Sequence, residues 1–236
     1  MQAKPVQTWL VLQALAWLPV LAIVSAGLLG DPLPRKVLHA CFVGIAISFA
    51  ALVVVLRSWR TPADLVTCTR VALVLAAATL ATQAGRIEWP VWILLGISLL
   101  LDVVDGWCAR RSGSSAEGAI LDLEADQFAF LTLALLAFAL AGAMAVVFVL
   151  PGLRLVKVTA YGLLGVSAAS PRPRSGDNRL GKVWCALASA LVFASLMPGL
   201  SRPLVNGTTL TAALVLLWSY RTDLSDLIAA KRSQST

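Results

Sequence analysis

Eight apolar runs, each long enough to cross a bilayer, leave this chain little to fold into except a bundle of membrane helices. Spans of about 20 apolar residues cross the hydrocarbon layer as helices, because in lipid every backbone donor and acceptor must be satisfied within the protein. The runs lie at roughly 8–29, 37–56, 64–84, 90–109, 117–139, 142–167, 183–199 and 207–221. Only 13% of the 236 residues are charged and 59% are hydrophobic, where a soluble domain carries about 25% charged residues. The expected fold is all-α, a polytopic membrane bundle of about eight transmembrane helices. No loop is long enough for a soluble second domain, and there is no internal repeat. The first run has two readings. Lys4 before it and Val24-Ser25-Ala26 at its end resemble a signal peptide, whereas its length and its Trp9, Trp17 and Pro19 favour a retained helix. The longest clear loop is Ser170–Leu180, with Pro171, Pro173 and Gly176, and the tail from Ser225 is polar and expected to fray.

Basic residues set the orientation. With the N-terminus inside, the cytoplasmic segments hold Lys4, Arg57, Arg60, Arg110, Arg111, Arg172, Arg174, Arg179, Lys182, Arg221, Lys231 and Arg232. The opposite side holds only Arg35, Lys36, Arg86 and Arg202. Both termini are therefore expected in the cytoplasm, in a bacterial inner or plasma membrane. The net charge of +7 suits an anionic leaflet and argues no case for nucleic acid, since the cations sit in short loops between spans. Cys41, Cys68, Cys108 and Cys185 stand singly in apolar stretches and read as small buried residues. The lone His39 reads as an interfacial or packed side chain rather than a metal ligand.

Acids at membrane depth are costly and face a cavity or a partner. Four of them converge here: Asp102 and Asp105 in the run Asp102-Val-Val-Asp105-Gly106-Trp-Cys-Ala109-Arg110, then Asp122 and Asp126 in Gly118-Ala-Ile-Leu-Asp122-Leu-Glu-Ala-Asp126. Residues three or four apart share a helix face, so each pair lies on one face, and Gly118 stands one turn before Asp122. The seven residues Arg111–Glu117, with Ser112, Gly113, Ser114 and Ser115, form a short turn that folds the two helices antiparallel and brings the acidic faces together. Such hard oxygen ligands suit Mg²⁺ or Mn²⁺. Gly106, Ala109 and Gly118 leave room for a bulky group, and Arg110 is placed to pair with phosphate oxygens. Glu124, opposite the Asp122–Asp126 face, reads as peripheral.

The run Asp102–Asp126 resembles the signature of the CDP-alcohol phosphatidyltransferases, D-x-x-D-G-x-x-A-R followed by G-x-x-x-D-x-x-x-D, with every fixed position present. Thr61-Pro-Ala-Asp64-Leu-Val-Thr67-Cys-Thr-Arg70 resembles the family's first core helix, with Thr61 and Asp64 in place of two asparagines. Gly181-Lys182 resembles the pair that opens its fifth. The resemblance implies a six-helix core over 61–236 with a short cytoplasmic tail, preceded by two additional helices in 1–60. It implies an enzyme that transfers a phosphatidyl group from a CDP-linked donor, most simply CDP-diacylglycerol, to an alcohol, releasing CMP on the cytoplasmic side in phospholipid synthesis. It also implies two Mg²⁺ or Mn²⁺ ions among Asp102, Asp105, Asp122 and Asp126, with Asp126 as general base. Gly106, Ala109, Arg110 and Gly118 would line the donor pocket, joined by Asp64 and Thr67, and the protein would be a homodimer.

The acceptor is less marked. Arg154 and Lys157 lie at a depth comparable with the acids and share a face, where they would hold a phosphate or carboxylate of the acceptor, which favours glycerol 3-phosphate. Against this, Pro151-Gly152 as a surface turn would let both cations reach the outer interface, but would leave the sixth span too short. Arg179 and Lys182 either steer anionic substrates or are ordinary cytoplasmic charges. Three other functions compete. A CDP-linked small alcohol with diacylglycerol as acceptor uses the same motif. An intramembrane prenyltransferase places its aspartate motifs in separate helix pairs, and a cation transporter leaves Gly106, Ala109 and Arg110 without a role.

Overall fold

The computed structural model describes residues 3–25, 33–56, 61–112, 116–163 and 179–234. The eight α-helices in these residues are α1 (Ala3–Ser25), α2 (Arg35–Leu56), α3 (Pro62–Ala84), α4 (Trp89–Ser112), α5 (Ala116–Leu136), α6 (Val149–Leu163), α7 (Arg179–Ser195) and α8 (Arg202–Gln234). No strand occurs among the described residues. The chain is an all-α membrane bundle. Among the described residues, three segments, Arg35–Leu56, Pro62–Ala84 and Glu117–Ala141, are long and apolar enough to cross a bilayer, while α1, α4, α6 and α7 carry shorter apolar stretches.

Helix α5 is the central post, packed against α3, α2 and α6. Its Leu121, Ala125, Phe128, Leu131, Leu135 and Leu136 are almost wholly buried. The closest partners elsewhere are α3 with α4 and α7 with α8. Ala77, Ala78 and Ala81 on α3 are fully buried, and small side chains of this kind let backbones close in where lipid provides no hydrophobic drive. Polar contacts then fix register. Ser98 of α4 donates to the carbonyl of Arg70 on α3 at 3.2 Å, and Trp92 Nε1 donates to the Phe193 carbonyl at 3.2 Å while stacking on its ring at 4.5 Å. Thr79, Thr82, Thr132 and Thr159 turn their hydroxyls back onto carbonyls four residues earlier, which satisfies them without an outside partner.

The sixth span departs from expectation. Rather than one helix over 142–167, α5 ends in a π turn at Ala137–Ala141 and the chain breaks at Gly142, in the left-handed region at φ 74°. It restarts as a 3₁₀ turn at Ala145–Phe148 leading into α6, where the Asn206 side chain of α8 accepts from Met144 N–H at 2.9 Å. The surface-turn reading of Pro151-Gly152 is overturned. Pro151 is buried inside the first turn of α6, a position where its missing N–H costs nothing. The tail differs as well: α8 continues to Gln234 instead of fraying from Ser225. Helix α1 packs along α6 and also touches α2, where its buried Trp17 ring lies against Gly44. Its expected last residues, 26–29, fall outside the described set, as do most of the 170–180 loop and the turn at 113–115.

Candidate active site

Helix α3 begins with a reciprocal cap. Asp64 N–H donates to Thr61 Oγ1 at 3.1 Å and Thr61 N–H donates to the Asp64 carboxylate at 3.2 Å, so two donors that a helix start leaves unsatisfied are closed by side chains, ahead of Pro62. From that cap the buried face runs through Asp64, Thr67, Arg70 and Val71, spaced at about one helical turn. Asp64 and Thr67, expected in the donor pocket, are 4% and 2% exposed, and Thr67 Oγ1 donates to the Ala63 carbonyl at 3.1 Å.

The next turn of that face carries the centre of the site. The Arg70 side chain is only 3% exposed. Its Nη1 is bonded to Asp102 Oδ1 of α4, and its Nη2 donates to Asp126 Oδ1 of α5 at 2.5 Å and lies 3.5 Å from Asp122 Oδ1. One guanidinium thus joins three helices. Carboxylate oxygens of Asp102, Asp122 and Asp126 lie within 4.8 Å of one another. Their side chains are 49%, 50% and 48% exposed, so the cluster opens on one side while Arg70 closes it from beneath. Three hard oxygens at this separation are a donor set that a divalent cation accepts.

Of the four aspartates expected to converge, the structure brings Asp102, Asp122 and Asp126 together. Gly118 lies half-buried one turn before Asp122 on α5. Asp105, Gly106, Ala109 and Arg110 lie on α4, Lys157 on α6, and Arg179 and Lys182 on α7, with side chains outside the described set.

Two residues were given no part in the site by sequence reasoning. Arg70 entered only as a motif position, although a cation in mid-span without an acid one turn away is itself a signal. Glu124 is not peripheral, contrary to the expectation from its helix face. It is 3% exposed, and its Oε1 is bonded to Nη2 of Arg154 on α6. Arg154 Nε is buried without a hydrogen-bond partner. Next to this pair, Gln127 Nε2 donates to the Pro151 carbonyl at 3.0 Å, which holds α6 against α5. Outside the site, Cys41 is buried as expected, but Cys185 is exposed on α7. His39 Nδ1 bonds the Arg35 carbonyl at 3.0 Å, one turn back on its own helix.

A family model for CDP-alcohol phosphatidyltransferase matches residues 60–220. The chain belongs to that family. No curated protein and no solved structure matches it. CDP-alcohol phosphatidyltransferases are membrane transferases that work with a divalent metal, and the acidic cluster on α4 and α5 has the chemistry for it. As a family member, the protein is an integral membrane enzyme that transfers a substituted phosphate from a CDP-alcohol to an alcohol acceptor.

Proposed function

We propose that the protein transfers a phosphatidyl group from CDP-diacylglycerol to an alcohol, with glycerol 3-phosphate the favoured acceptor, and releases CMP on the cytoplasmic side. The observation that carries this reading is the convergence of the Asp102, Asp122 and Asp126 carboxylates at the signature positions of the family. Asp102, Asp105, Asp122 and Asp126 would hold two ions, Mg²⁺ or Mn²⁺. When bound, the metal neutralises charge on the diphosphate and on the departing CMP.

The remaining work falls to the chain. Asp126 accepts the proton of the acceptor hydroxyl as its oxygen bonds to the lipid-side phosphorus and the bond from that phosphorus to CMP breaks; a base must lie within hydrogen-bond reach of the proton it takes. In this reading Gly106, Ala109 and Gly118 leave space for the cytidine, Arg110 pairs with the diphosphate, and Asp64 and Thr67, buried on α3 like Arg70, would border the donor. Arg154 supports an anionic acceptor, since its Nε–H is buried without a partner and buried donors are nearly always satisfied. Lys157, Arg179 and Lys182 add positive charge on the acceptor side in this reading. A cytoplasmic site follows from the distribution of Lys and Arg. The division into two added N-terminal helices and a six-helix core, and the homodimer, rest on the family resemblance.

The test is a donor-by-acceptor panel on purified protein with Mg²⁺ or Mn²⁺, reading CMP. CMP formed from CDP-diacylglycerol with glycerol 3-phosphate, and not with serine, inositol phosphate or a second lipid, is expected. CMP formed only from a CDP-linked small alcohol with diacylglycerol would reverse the assignment of donor and acceptor.

A further inference from the structure

We infer that Arg70 is a built-in counter-ion that competes with divalent metal for the aspartates and thereby sets how tightly the enzyme holds it. This rests on reading the acidic cluster as the metal site. The geometry is specific. The guanidinium touches Oδ1 of Asp102 and Oδ1 of Asp126 and approaches Oδ1 of Asp122 at 3.5 Å, so a cation entering among these oxygens meets a positive charge already bonded to them. At 3% exposure Arg70 cannot swing into water, and the capped first turns of α3 and the Ser98 bond to its carbonyl fix its backbone. Arginine suits this place because its planar fork reaches two carboxylates at once and it does not lose its proton.

Like charges a few ångströms apart repel, and the Arg70 side chain, at 3% exposure, is only weakly screened by water on its own side of the cluster. Arg70 therefore keeps the metal exchangeable, and the same contacts hold α3, α4 and α5 together when the metal leaves. Arg70 is in this sense a positioning residue, acting on the acids rather than on the substrate.

The experiment measures Mn²⁺ binding calorimetrically in wild type, Arg70→Gln and Arg70→Lys, in lipid nanodiscs without substrate, alongside thermal unfolding in chelator. Arg70→Gln is expected to bind Mn²⁺ at least about tenfold tighter and to unfold earlier in chelator, with added Mn²⁺ restoring wild-type behaviour. Arg70→Lys, which keeps the charge but loses the fork, is expected to fall between the two, and it carries the test if the glutamine variant does not fold. Mn²⁺ affinity unchanged or weakened in the variants would overturn the inference while leaving the metal site intact. Absence of Mn²⁺ binding in wild type would instead overturn the metal reading, and the inference with it.

Discussion

Glu124 of α5 and Arg154 of α6 form a largely buried ion pair, Glu124 standing two residues before Asp126 in sequence, with the Glu124 side chain 4% and the Arg154 side chain 18% exposed. Removing one partner of such a pair leaves an uncompensated charge, which costs about 3–5 kcal/mol, whereas replacing both by apolar groups is often neutral. Glu124→Gln should therefore lower thermal stability markedly, and Glu124→Leu with Arg154→Met should recover most of it. If Arg154 also holds the acceptor, the double variant should be stable yet show a raised KM for glycerol 3-phosphate with the KM for the CDP-linked donor little changed. Differential scanning calorimetry and initial rates check the two halves separately.

Asp126→Asn keeps the shape of the side chain and its contact with Arg70 but cannot take a proton. Turnover should fall by about 10²–10⁴-fold, the usual contribution of a positioned base, while labelled CDP-diacylglycerol still binds. Normal turnover in this variant would remove Asp126 from the role of base.

Thr61 and Asp64 close the first turn of the helix that carries Arg70. Thr61→Ala opens the cap and should cost about 1 kcal/mol, seen as a lowered Tm. Thr61→Ser keeps the hydroxyl and should lie close to wild type.

Gly142 ends the π turn at φ 74°, and a Cβ there would stand 3.2 Å from Arg202 Nε. Gly142→Ala should destabilise by about 1–3 kcal/mol, the range for a side chain held in the left-handed region. The same change at Gly207, where a Cβ meets nothing within 4 Å, should not.

Much of this was legible in the sequence because lipid simplifies the code. Long apolar runs become helices, and acids within them mark chemistry, so α2 to α5 and the aspartates at 102, 122 and 126 follow from spacing alone. The break at Gly142 was missed because hydropathy does not register a π turn among alanines and leucines. Glu124 was misread for a related reason. The face opposite Asp122 and Asp126 is solvent or lipid for a peripheral helix, but α5 is surrounded by α2, α3 and α6, so its far side is protein as well. Arg70 lies 32 residues before Asp102, and only the packing of α3 onto the α4–α5 pair joins them.

The decisive measurement follows CMP release from CDP-diacylglycerol and acceptor in purified protein as metal is stripped and returned. CMP release should cease in excess chelator and resume on addition of Mg²⁺ or Mn²⁺ in wild type, and stay absent in Asp102→Asn and Asp122→Asn at matched folding. Full release in excess chelator would contradict it.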